Sequence, residues 1–125
     1  MADELIPADV RDFILRHIDS VAQIEALLLL RGNPQDTWNL QNIAKRLYTS
    51  EQELADVLTR LCEDGLLSCS GDTYHYDGAI SELRDVVDRL ATVYSHQLIA
   101  VTNMIHAKPR RIREFADAFK IRRDR

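Results

Sequence analysis

The sequence predicts a mainly α-helical chain with one small β-hairpin wing, followed by a long helix and a short basic amphipathic helix. Three observations support this class. Apolar residues recur at intervals of three and four in several segments, which is the period of a helix with one buried face. Two capping boxes, Ser20 to Gln23 and Ser50 to Glu53, mark helix beginnings. Two short extended segments flank a turn at residues 70–72, which is typical of a hairpin.

The first part of the chain predicts two helices. Pro7 suits the first residue of a helix, because its fixed φ and missing N–H have no cost there. The second helix is predicted from Ser20 to about Leu30, and Gly32 and Pro34 then end it.

The middle of the chain predicts a winged helix-turn-helix. A short strand at residues 37–39 leads into a helix from Leu40 to about Leu47, and a second helix opens at Ser50. Gly65 ends that helix and the hairpin follows. This order of elements is used in many proteins to place the second helix in the DNA major groove. The predicted buried stripe of the second helix consists of Leu54, Val57, Leu58 and Leu61.

Residues 40–76 resemble the winged helix-turn-helix of bacterial transcription regulators of the MarR and PadR groups. The resemblance is carried by Ile43-Ala44-Lys45-Arg46-Leu47, the turn at Tyr48-Thr49, Ser50, Leu58-Thr59-Arg60-Leu61 and the junction Glu63-Asp64-Gly65-Leu66-Leu67. It implies that the outward face of the second helix, the reading helix, approaches base edges. On that face the candidate contacts with DNA or another partner are Gln52, Asp56, Thr59, Arg60 and Glu63.

The charge of this region disfavours duplex DNA. Affinity for DNA comes largely from neutralising phosphates, yet no Lys or Arg occurs from Leu61 to Leu83. Gln52 and Arg60 remain able to pair with adenine and guanine. The reading helix sets one arginine against five acidic residues, which are Glu51, Glu53, Asp56, Glu63 and Asp64. These carboxylates favour a basic protein partner or, alternatively, form a solvated surface without a partner.

Nothing breaks a helix between about residues 79 and 107, and an apolar seam follows it. The seam slips once, so that Leu98 rather than Gln97 follows Tyr94. A helix of roughly 40 Å, at 1.5 Å per residue, exceeds what one small domain covers, so we expect a homodimer. Packing on the chain's own domain is the alternative. The predicted dimer seam consists of Ile80, Leu83, Val87, Leu90, Tyr94, Leu98, Val101 and Ile105.

The last 18 residues, Lys108 to Arg125, carry eight basic and three acidic residues, a net charge of +5. The rest of the chain carries eight basic and 17 acidic residues, a net charge of −9. A basic amphipathic helix is predicted at residues 109–123, and its candidate uses are contact with DNA, docking on the acidic body or a protein partner, and, less favoured, contact with an anionic membrane. The candidate basic contacts are Lys108, Arg110, Arg111, Arg113, Lys120, Arg122 and Arg123.

No residue pattern is typical of an enzyme, a cofactor site or a metal site, so we expect none of these. The histidines are too scattered along the chain for a metal cluster; they are His17, His75, His96 and His106. Four aromatic residues are expected to pack beneath the hairpin rather than to line an effector pocket; they are Trp38, Tyr48, Tyr74 and Tyr76.

Cys62 and Cys69 are expected to be buried, reduced thiols on a helix and a strand. The first residues lack the basic region of a secretory signal, so a cytoplasmic location is expected.

The sequence therefore predicts two parts, a winged helix-turn-helix at residues 1–78 and a helical extension at 79–125. The predicted function is that of a dimeric transcription regulator whose DNA binding is aided by the basic tail. The alternative is a protein-interaction module that uses the acidic winged helix or the amphipathic tail and does not bind DNA.

Overall fold

The structure, a computed structural model, describes residues 6–107. These residues form a mainly helical fold with a small three-stranded antiparallel sheet, which confirms the predicted class at that level. The order of elements through the hairpin is also the one predicted. The elements are α1 (Ala8–His17), α2 (Val21–Gly32), β1 (Trp38–Asn39), α3 (Leu40–Leu47), α4 (Glu51–Glu63), β2 (Ser68–Ser70), β3 (Thr73–His75), α5 (Ser81–His96) and α6 (98–107).

A buried glutamine holds the joint between α1 and α2. The Ser20 hydroxyl oxygen caps α2 by accepting a hydrogen bond from the Gln23 N–H at 3.1 Å. The Gln23 side chain is 1% exposed; its amide donates to the His17 carbonyl and accepts from the Asp19 N–H, both at 2.7 Å. The predicted cap is thus present, but the glutamine bonds the backbone of Asp19 instead of that of Ser20.

One hydrophobic core runs through the described residues, from Ile6 before α1 to Ile105 in α6. The leucines of the predicted α4 stripe lie at its centre, with Leu54, Leu58 and Leu61 fully buried and Val57 partly buried. The core contains residues on both sides of the predicted boundary at 78/79, so α5 and α6 share it with the preceding elements.

The sheet places the hairpin beside the beginning of α3. Its strand order is β1-β3-β2, and all pairs are antiparallel. Trp38 in β1 pairs with Tyr74 in the central strand, and Cys69 in β2 pairs with the same tyrosine. Because β1 leads directly into α3, where the Asn39 side chain accepts from the Asn42 N–H at 2.8 Å, the hairpin is held against the start of that helix.

The prediction of one helix from 79 to 107 is wrong, because the helix is interrupted at Gln97. This residue has φ −127° and ψ 46°, its N–H donates to the Val93 carbonyl, and its own carbonyl accepts from the Val101 N–H at 3.0 Å. The break falls where the apolar seam slips. Val101 and Ile105 lie beyond this break, and both are fully buried in the hydrophobic core.

The predicted dimer seam is not a continuous free face. Four of its eight residues are fully buried in the chain's own core, two are half-buried, and only Ile80 and Leu98 are exposed, at 48% and 51%. The helices before and after Gln97 each contribute two fully buried residues, so both halves of the seam pack within the same chain. The fully buried residues are Val87, Leu90, Val101 and Ile105, and the half-buried ones are Leu83 and Tyr94.

Polar contacts also tie α5 to the first two helices. Arg89 bonds Asp9 of α1 with a distance of 2.6 Å from Nε to Oδ2, and Arg31 of α2 bonds Asp88 at 2.9 Å. The Tyr94 hydroxyl donates to Glu25 of α2 at 2.5 Å. Burial raises the pKa of Tyr94, and the hydrogen bond to Glu25 and the charge of that carboxylate raise it further, so the phenol stays protonated as a donor.

The expectation for the cysteines is corrected as well. Cys62 and Cys69 lie on a helix and a strand as predicted, but they form a disulfide. Cys69 is exposed and Cys62 is partly buried, so neither is a buried free thiol. The sequence alone did not indicate that the Gly65 turn, with φ +78°, brings the end of α4 back beside β2.

Several sequence predictions concern residues beyond those described. The basic helix at 109–123 and the candidate contacts from Lys108 to Arg123 lie outside residues 6–107. Within that range, no helix has both the length and the apolar character needed to cross a bilayer.

Candidate interaction surface

The start of α4 is built from side-chain caps that leave its acidic residues in solvent. The Ser50 hydroxyl accepts from the Glu53 N–H at 3.1 Å, and the Thr49 hydroxyl donates to the Glu53 carboxylate at 2.9 Å. Carboxylates in the first turn of a helix are favoured by its dipole. Glu51 and Glu53 therefore stabilise the helix while both remain exposed.

All five residues predicted to lie on the outward face of α4 are exposed. Two of them make contacts within the chain: the Thr59 hydroxyl donates to the Ala55 carbonyl at 2.9 Å, and Arg60 forms an ion pair. The remaining three are Gln52, Asp56 and Glu63, whose side chains form no hydrogen bond or ion pair with the described part of the chain. Two of these three are acids.

The only cation of α4 is directed toward the joint between the first two helices. Arg60 Nη2 lies 2.7 Å from the Asp19 carboxylate, and the two side chains are 58% and 35% exposed. An exposed pair of this kind contributes little stability. Its effect on the surface is larger, because the guanidinium charge is compensated locally and the outward face is left negative.

A groove of about 370 Å³ lies where the hairpin meets the beginnings of α3 and α4. Two of its residues are acidic and come from different elements, Glu51 from α4 and Asp72 from the hairpin turn. The turn at Gly71 has φ +58°, and the Thr73 hydroxyl donates to the Ser70 carbonyl at 2.8 Å. The remaining lining residues are Asn39, Leu40, Gln41 and Tyr74.

Positive charge lies on a different side of α3. Lys45 and Arg46, in its last turn, are exposed and line a second groove of about 420 Å³ beside Trp38. The Arg46 guanidinium carbon is 5.6 Å from the centre of the Trp38 ring, within the range of a cation–π contact. Within residues 6–107 neither cation forms an ion pair. Asp36 is the one acid of this lining, so the groove has a net positive charge, opposite to that of the first groove.

Tyr48, at the turn between α3 and α4, is 96% exposed. Among the described residues, Tyr48 is the one non-glycine residue with a positive φ, which is +55°. Its N–H donates to the Ala44 carbonyl at the end of α3. A residue other than Gly, Asn or Asp seldom occupies this conformation. The prediction that Tyr48 packs beneath the hairpin is therefore wrong. The feature of the sequence that could have indicated the exposure of Tyr48 is its position directly after a helix, where glycine is usual.

The other predicted aromatic residues behave differently from Tyr48. Trp38 and Tyr76 are buried at 7% and 9% exposure, and Tyr74 is half-buried. They pack around the sheet as expected. Burial, with a smaller effect of the Asp88 carboxylate, raises the pKa of Tyr76.

No candidate metal centre is present among residues 6–107, where no three His, Cys, Asp or Glu side chains are grouped to hold an ion. His17 instead contacts the Phe13 ring, with centroids 4.9 Å apart, and its Nδ1 lies 3.0 Å from Asp64 at the end of α4.

Comparisons of the chain with protein-family models, with curated proteins and with solved structures found no match.

Proposed function

We propose that residues 37–76 form a winged helix-turn-helix that acts as a regulatory protein-interaction module, with the face shared by α4 and the hairpin binding a basic segment of a protein partner. The order β1, α3, α4, β2, β3 and the sheet order β1-β3-β2 support the winged-helix assignment. The charge of the face supports the choice of partner. No catalytic role is proposed.

The observation that carries this proposal is the meeting of Glu51 and Asp72 in one groove. In a DNA-binding winged helix, the start of the reading helix and the wing both approach the phosphate backbone, so carboxylates there oppose binding. A Lys or Arg side chain of a partner would instead find two carboxylates from different elements. Asp56 and Glu63 extend the negative charge along α4, which favours association with a basic surface.

Tyr48 adds a second reason to expect a macromolecular partner. Its side chain is almost fully in solvent and its backbone is strained, so the turn gains nothing from a tyrosine in the free chain. Tyrosine is enriched among residues that contribute most to binding energy. Its position beside the N-terminus of α4 places it at the edge of the acidic face.

Removal of two carboxylates tests the proposed site. We expect E51Q/D72N to lower the affinity for a fluorescein-labelled, Arg/Lys-rich twelve-residue peptide by about three- to tenfold at low salt, since each exposed pair contributes a modest energy. Fluorescence anisotropy would measure the change, and circular dichroism would verify folding.

The matched control is E82Q/D85N, which removes two exposed carboxylates from the first turns of α5, outside the groove. We expect less than about a twofold change for it, because distant surface charges are screened. Equal losses in both variants would show that the peptide responds only to total charge and would contradict a defined site.

A second candidate, a transcription regulator that contacts DNA through its tail, is favoured by the charge distribution. The last 18 residues carry half of the chain's Lys and Arg. Under this reading Gln52 would face the bases, while the tail would supply the phosphate contacts that the α4 face lacks.

Neutralising tail arginines in the full chain tests this candidate. If duplex DNA binds, R110Q/R111Q/R113Q should weaken binding by about tenfold and reduce the slope of log K against log salt by up to about three. The control K45Q/R46Q/R84Q removes three cations from the described part. Absence of binding to a generic 20-base-pair duplex even at low salt would eliminate the DNA candidate, and a larger loss in the control would assign the DNA contact to the cations of α3 and α5 instead of the tail.

Homodimerisation remains a proposal, but the surface proposed for it now differs from the predicted seam. The exposed apolar residues near the break are Leu98, at 51%, and Ile99, at 75%. A second copy would contact these residues rather than the buried half of the predicted seam. The cytoplasmic location likewise stays a prediction.

A further inference from the structure

The disulfide between Cys62 and Cys69 joins the last turn of α4 to strand β2. The two cysteines are seven positions apart, and their Cα atoms are separated by 6.1 Å, an ordinary distance for a disulfide. Cys69 is exposed, whereas Cys62 is partly buried on the helix. An approaching thiol therefore reaches Cys69 more easily than its partner.

We propose that this disulfide is a thiol–disulfide exchange site, which a small dithiol or a dithiol protein opens by attack on Cys69 while the chain stays folded. The reductant's thiolate bonds to Cys69 Sγ, the S–S bond breaks, and its electron pair leaves with Cys62 as a thiolate that takes up a proton. The second thiol of the reductant then attacks the mixed disulfide and becomes part of the reductant's own disulfide. Cys69 leaves as a thiolate and is protonated, so two electrons have passed to the protein.

The contacts around the disulfide indicate that α4 keeps its place after reduction. Leu66 and Leu67, which follow the helix, are 4% and 5% exposed, and both N–H groups donate to the Leu61 carbonyl, at 2.9 and 3.3 Å. His17 and Asp64 tie the end of the helix to α1 at 3.0 Å. These contacts are independent of the sulfur atoms.

Strand β2 is the element that gains freedom on reduction. It lies at the edge of the sheet, is three residues long, and pairs only with β3 within the described residues. The central strand β3, by contrast, is also paired with β1 through Tyr74 and Trp38. The disulfide is therefore a covalent cross-link at the edge strand of the hairpin. Its reduction changes the mobility of that strand without unfolding the chain. This inference does not depend on the identity of the partner proposed above.

Mass spectrometry and amide exchange of the full chain test the proposal. After oxidation, iodoacetamide should add nothing; after dithiothreitol without denaturant, it should add two groups. Amide exchange in β2 should then rise by about tenfold, while the amides of Leu54 and Leu58 keep their protection. Alkylation of both cysteines before reduction would overturn the proposal, as would reduction that occurs only as fast as global unfolding.

Single variants identify which sulfur is reached. Cys62→Ser leaves Cys69 as the one thiol, and Cys69→Ser leaves Cys62. We expect Cys69 to react with an aromatic disulfide reagent at least about fivefold faster than Cys62, because exposure controls access to a thiolate. The double variant C62S/C69S should show fast β2 exchange that no longer responds to dithiothreitol. Faster reaction of Cys62, or unchanged β2 exchange in the double variant, would contradict the assignment.

Discussion

Replacing Ile105 by alanine is expected to lower the free energy of unfolding by about 2–5 kcal/mol, the usual cost of truncating a fully buried isoleucine. Ile105 is 0% exposed and belongs to the same cluster as Leu58 of α4. The substitution removes apolar contacts and leaves a cavity that the surrounding helices fill only in part. Urea denaturation followed by circular dichroism would measure the change.

The matched control for this prediction is Ile99→Ala on the same helix. Ile99 is 75% exposed, so its truncation should change the free energy of unfolding of a monomer by no more than about 0.5 kcal/mol. Light scattering on both variants separates the two possible roles of α6. If Ile105→Ala changed the molecular mass without destabilising the fold, Ile105 would belong to a subunit interface, as the predicted seam implied.

The helices through α4 could be predicted because their signals are local. Ser20 and Ser50 cap their helices through backbone N–H groups three residues ahead, and Gly65 adopts the positive φ that ends α4. The apolar stripe of α4 is buried as its spacing indicated. Each of these features depends on residues within one or two turns of each other, which a single sequence shows directly.

The break at Gln97 could not be predicted from local signals. No glycine or proline interrupts residues 79–107, so no strong helix breaker marks the position of the break. Val101 and Ile105, which lie beyond the break, are fully buried in the core, so their tertiary packing enters the outcome. The one feature of the sequence that coincides with the break is the slip of the apolar seam between Tyr94 and Leu98.

For the candidate surface, the sequence predicted only which residues of α4 are exposed. The sequence places Gln52, Asp56 and Glu63 on the outward face of α4, and they are exposed. The groove is a tertiary feature, because the hairpin turn brings Asp72 near Glu51. The same holds for the Arg60–Asp19 pair and the disulfide, whose partners meet only after folding.

Replacing Gln23 by alanine is expected to lower the free energy of unfolding by about 2–4 kcal/mol, although the position is polar. The side chain is 1% exposed, and it joins the end of α1 to the start of α2 through the His17 carbonyl and the Asp19 N–H. Alanine leaves both backbone groups without this partner and opens a cavity at a buried position. A polar contact here outweighs most surface contacts because the groups it pairs lose access to water.

Two further substitutions distinguish the hydrogen bonds of Gln23 from its packing. Gln23→Met keeps most of the volume and removes both bonds, so we expect it to remain nearly as destabilised as the alanine variant. Gln23→Glu keeps the acceptor for the Asp19 N–H but loses the donor to the His17 carbonyl and places a charge at a buried site. Its stability should therefore rise as pH falls toward the range in which a buried carboxyl is protonated. A methionine variant as stable as the wild type would show that volume alone holds the joint between α1 and α2.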